Sequence, residues 1–95
     1  MNNQITREME EQAHEDLRKG QEARMVLESS IWEEMDQKIR EYVYDRSIEL
    51  SEDKKALHQL AMFAKAHEMY RSLLMKAKDD GMVAKTLLDA IIDGN

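Results

Sequence analysis

"LESSIWEEM", residues 27–35, breaks a chain that otherwise reads as helix former throughout. Ser29 and Ser30 follow the apolar cluster Met25, Val26, Leu27 and precede Trp32, the only tryptophan. Ser30 and Glu33 make the S-x-x-E pattern, in which each side chain can satisfy the other's backbone N–H at a helix start. The stretch therefore predicts one helix ending near Glu28 and another starting at Ser30, with Trp32 as the anchor of a packed hairpin. Downstream, Ile31, Trp32, Met35, Ile39, Tyr42 and Val43 recur close to the i, i+3, i+4, i+7 spacing of a helix face. Charged residues such as Glu34, Lys38 and Glu41 take the other side, and the helix frays near Glu49.

Upstream, Ile5, Met9, Ala13 and Leu17 recur every four residues among charged neighbours. The stripe is narrow, and Gly20 weakens a helix by roughly 1 kcal/mol relative to alanine. Residues 1–22 are therefore expected to form an amphipathic helical arm, marginal until it docks on another subunit. Residues 23–95 are expected to form the small helical domain.

Beyond the second helix, "LSEDKKAL" offers Ser51 as an N-cap, with Glu52 and Asp53 at the positive end of the next helix dipole. The third helix is expected to reach Asp79 or Asp80. Leu57, Leu60, Ala61, Ala64, His67 and Leu74 line one side of it, while Phe63, Ala66, Tyr70, Leu73 and Ala77 line an adjoining one. So wide an apolar arc suits a helix with more than one neighbour. Gly81 is a helix-stop signal, and Val83, Ala84, Leu87, Leu88 and Ile91 predict a short fourth helix after it. The expected fold is all-α: an antiparallel helical hairpin with a short C-terminal helix and an N-terminal amphipathic arm. Its packing is expected to centre on Trp32, Met35, Ile39, Tyr42, Leu60, Ala64, Leu73 and Leu87.

Composition agrees with a helical class. The 95 residues include no proline and three glycines, and 36% are charged. A chain this short buries a modest core, so a partner would help it. The net charge of −6 argues against a general nucleic-acid or anionic-membrane surface, both of which need a basic face. Absence of cysteine excludes disulfides, thiolate metal sites and thiol nucleophiles. No apolar run approaches the roughly 20 residues a membrane span needs. The polar start "MNNQITREMEEQ" is unlike a signal peptide.

Catalytic chemistry has few footholds. Glu11 and His14 form one E-x-x-H pair, but carboxylate-bridged di-metal bundles need two such pairs and further glutamates. His67-Glu68 begins an H-E-x-x-H motif that Arg71 ends, and Arg18 likewise spoils the one begun by His14. No serine sits in a G-x-S-x-G turn, and no Gly-rich loop is present to cradle phosphate. No enzyme activity, cofactor or metal is expected. The eight methionines are spread over every segment. Met35 reads as core filler, whereas Met62, Met69 and Met75 do not all fit the two stripes and suggest a partner-facing patch.

The stretch "EARMVLESSIWEEMDQKIREYVYD", the polar break and "KKALHQLAMFAKAHEMYRSLLMKAKDDGMVAKTLL" together resemble small helical proteins of tailed bacteriophages and prophages encoded near head and portal genes. The resemblance covers residues 23–92 and includes the turn Asp80-Gly81-Met82-Val83-Ala84. It implies a non-enzymatic interaction protein of virion assembly: a minor head or connector-associated component, or an assembly factor. The implied partners are further copies of the chain or a phage structural protein. The setting is the host cytoplasm during infection, or the virion. The alternative is an acidic inhibitor of a host defence or replication protein, occupying a basic channel.

Overall fold

A computed structural model describes residues 3–93, with side chains from Arg7 onward. Every element in this span is a helix: α1 is Asn3–Glu28, α2 is Ser30–Glu49 and α3 is Lys54–Asp93. The break in the quoted stretch is one residue long. Its cap is Ser29 rather than Ser30: extended backbone at Ser29 lets its hydroxyl accept from the Trp32 N–H at 3.2 Å. The same hydroxyl donates to the Val26 carbonyl at 2.7 Å, tying the end of α1 to the start of α2. Likewise Asp53, not Ser51, caps α3, its carboxylate accepting from the Ala56 N–H at 3.0 Å.

The largest departure from the sequence reading is at Gly81. No short C-terminal helix follows it, because α3 runs unbroken through it for 40 residues. Gly81 has no left-handed backbone that would end a helix. Its cost in helix propensity is set against a close contact: a Cβ built on Gly20 would lie 2.7 Å from the Gly81 Cα and 2.9 Å from the Ala77 carbonyl oxygen. The two glycines are where α1 and α3 cross, and only hydrogen fits between the backbones.

α1 packs antiparallel on the C-terminal half of α3, and α2 packs antiparallel on its N-terminal half. The buried apolar residues are Ala13, Ala23, Ala84 and Leu88, with Leu17 and Leu87 packed beside them. The stripe expected to dock on another subunit therefore meets α3 of its own chain at Ala13 and Leu17. Met9 is 50% exposed, and Ile5 lies outside the described side chains. A division at residues 22 and 23 would fall inside α1, which is continuous there.

In α2 and its C-cap Leu50, the residues Trp32, Asp36, Ile39, Val43, Arg46 and Leu50 are half-buried at intervals of 4, 3, 4, 3 and 4. Opposite them on α3, Leu57, Leu60, Ala64, His67, Arg71 and Leu74 follow at 3, 4, 3, 4 and 3. This is the 3.5-residue period of a coiled-coil seam. Two contacts fix its register, Gly20 with Gly81 and Asp36 with His67. Between them α1 and α2 advance sixteen residues while α3 retreats fourteen, two whole heptads. Run on as one helix, the two surplus residues would turn α2 by about 200° away from the seam. The break at Ser29 absorbs them.

The resulting ribbon measures 65 × 27 × 13 Å, two helices wide and one thick. Its radius of gyration is 19.8 Å, against about 12 Å for a compact chain of this length.

Candidate interaction surface

A ribbon one helix thick has two broad faces, and the seam flanks make them unlike. On one face Arg40 Nη2 reaches Glu68 Oε1 at 3.0 Å, bridging α2 to α3. Glu33 and Gln37 of α2 lie along the same groove, with Arg71, Met75 and Lys78 of α3. This face is polar.

The other face is apolar. Tyr42 meets Phe63 edge-on, with ring centroids 6.1 Å apart. One heptad before Tyr42 stands Met35, and one heptad after Phe63 stands Tyr70, so antiparallel pairing puts these two beside each other on the same face. Their exposures are 45% for Met35, 52% for Tyr42, 46% for Phe63 and 69% for Tyr70. Val26 extends the row on α1 and is also exposed. Leu73, expected in the packing, points outward from α3 and is exposed.

Between the faces the seam contains a polar cluster. His67 Nε2 and Asp36 Oδ1 are 2.6 Å apart, with side chains only 10% and 19% exposed. A carboxylate can only accept, so Nε2 carries the proton. Arg40 Nε donates to the other Asp36 oxygen at 3.1 Å. The His67 hydrogen bond, joined by Arg40, holds the Asp36 carboxyl below its usual range, against partial burial that pushes the other way. Trp32 stacks on the His67 ring at 5.9 Å and is half-buried. This arrangement fixes register: slipping α2 along α3 would leave His67 half-buried without its partner and Asp36 with Arg40 alone. Ile39, Leu60 and Ala64 occupy neighbouring seam positions, and Leu87 packs beside Ala84 and Leu88.

The candidates for chemistry gather into no site: Glu11 and His14 are neighbours on α1, and His58 is on α3. His14, Glu11 and His58 are exposed on helix surfaces. Among the described residues no three or more His, Asp or Glu side chains are grouped to hold a metal ion. No described helix is long and apolar enough to cross a membrane. Comparison with protein-family models, with curated proteins and with solved structures gave no match.

The apolar face has a sequence signal. Phe63, Ala66, Tyr70 and Leu73 form the adjoining stripe of α3, and Met35 and Tyr42 are seven residues apart on α2. What the stripe could not say is that α2 would cover only the other side.

Proposed function

We propose that this chain is a non-enzymatic protein-interaction module acting in virion assembly of a tailed phage, as a minor head or connector-associated component or as an assembly factor. The supporting observation is the exposed row Met35, Tyr42, Phe63 and Tyr70 on a chain whose described residues include four buried apolar ones, three of them alanine. Aromatic and methionine side chains grouped on one face suit docking against an apolar helix or groove of a partner. In this reading α2 and the first half of α3 form the antiparallel hairpin that displays the row, and α1 braces the far end of α3. The phage setting comes from the sequence resemblance.

The test is made in a phage or prophage that produces the protein. With wild-type chain, it co-purifies at fixed stoichiometry with heads, connectors or their precursors. Tyr42→Glu combined with Tyr70→Glu removes it from these particles and lowers infectious yield, while Glu33→Gln, on the polar face, does neither. Normal particle yield after deletion of the chain, with no chain in any assembly intermediate, overturns the reading. Salt-sensitive binding to a basic host protein would then favour the acidic-inhibitor alternative.

A further inference from the structure

α3 carries a second row at the heptad spacing of its seam. Met62, Ala66, Met69 and Leu73 recur at intervals of 4, 3 and 4, and all four are exposed. At 3.6 residues per turn the row lies about 160° round the helix from the seam that holds α2. A helix with one neighbour normally turns charge to the opposite side. Here the opposite side is as apolar as the seam over three turns.

We propose that a second copy of this chain docks on this row, the two α3 helices antiparallel about a two-fold axis lying between Ala66 and Met69. Three observations point to a second copy rather than an unlike partner. The spacing is a palindrome, so a two-fold axis sets Met62 against Leu73 of the second copy and Ala66 against Met69, at both ends alike. Continued outward, the same register sets Gln59 against Lys76 and Lys55 against Asp80 of the second copy. Base therefore meets acid at each end of the apolar row, Lys55 joining an Asp80 that also holds Lys76 of its own chain at 2.8 Å, whereas a parallel pair would put Lys55 on Lys55 and Asp80 on Asp80. Finally, the chain exposes 7835 Å², while a compact monomer of its mass exposes about 5,700 Å². The excess is larger than the roughly 800 Å² per partner of a stable dimer. The self-association is independent of the virion setting; its row borders the face around Tyr42, with Ala66 and Leu73 at the boundary.

Sedimentation equilibrium of the full chain tests it, with circular dichroism confirming that each variant stays helical. Wild type is a dimer, and Met69→Lys is a helical monomer. Lys55→Glu and Asp80→Lys each set like charges together at both ends and weaken dimerisation by about tenfold. The double variant Lys55→Glu/Asp80→Lys regains most of that loss. Within one chain the two residues lie roughly 37 Å apart along α3, so restoration arises only between chains in this register. A monomeric wild type, a dimer indifferent to Met69→Lys, or a double variant no tighter than its single parents would each overturn the proposal.

Discussion

At the scale of single residues, the pair Gly20 and Gly81 reverses what glycine means in a helix. Replacing a helical glycine by alanine ordinarily gains about 1 kcal/mol. At Gly20 the added methyl group would meet backbone atoms of α3 at 2.7 and 2.9 Å, and backbone cannot swing aside as a flexible side chain can. Gly20→Ala is therefore expected to destabilise the chain by about 1–3 kcal/mol net, as overpacking does, read as a lowered urea midpoint. Asp36 makes a second prediction, with a pH signature. Its carboxyl is held below the usual range by the His67 hydrogen bond and Arg40. A depressed folded-state pKa contributes stability that is complete above the unfolded value and lost as pH falls through the folded one. Asp36→Asn should therefore melt below wild type at neutral pH. The gap between the two should hold through mild acid and close only below the ordinary carboxylate range. Melting curves of both proteins from neutrality into strong acid check this; a gap that closes nearer neutrality would mean that Asp36 is not the group responsible.

At the scale of elements, the two surplus residues at the α1–α2 junction make a prediction opposite to the usual effect of deletion. Removing both Ser29 and Ser30 would bring Trp32 three residues after Leu27, so that the seam runs on at alternating 3 and 4 spacing in one continuous helix. That variant should fold, with equal or greater helicity and an equal or higher melting temperature. Removing Ser29 alone leaves one surplus residue, turns α2 by about 100° off the seam and should lower the melting temperature sharply. Thermal melts of the two deletions, followed at the helical signal, separate these outcomes. The existence of this break was legible because two serines stand between two apolar clusters. Its cap was misplaced by one residue, since Ser29 and Ser30 are equally good N-caps and the choice is made by where the register slip falls. Gly81 misled for a related reason. Its identity is compatible with a helix end or with a close helix crossing, and the second use depends on Gly20, sixty-one residues away. The two stripes of α3 were readable from periodicity, but which one faces its own chain was not. That depends on α2, where Glu34, Lys38 and Glu41 leave Trp32, Ile39 and Val43 as the side that packs.

For the whole molecule, the decisive quantity is how little a single chain buries. Among the described residues, three of the four buried apolar ones are alanines, and no large side chain is fully enclosed. Ordering the backbone costs about 1–2 kcal/mol per residue, and burying an exposed aliphatic side chain returns about 1.5–3 kcal/mol. A long ribbon with most of its Met, Tyr and Phe surface in water is thus poorly supplied with stabilising contacts. Surface ion pairs do not make up the difference: those of Arg18 with Glu15 and Glu22, or of Lys38 with Glu34, join exposed groups, where solvent screens most of the attraction. If association of two chains stabilises the folded chain, stability must depend on concentration. A hundredfold dilution then lowers the unfolding free energy of the pair by about 2.7 kcal/mol. At about 2–4 °C per kcal/mol for units of about 150–250 residues, the midpoint of thermal melting should fall by about 5–10 °C. Met69→Lys, which removes the proposed contact between chains, should melt near or below the most dilute wild type and show no dependence on concentration. A wild-type midpoint unchanged across the dilution would mean that α1, α2 and α3 hold one another without help. Folding of the ribbon would then belong to the glycine crossing and the Asp36–His67 seam alone.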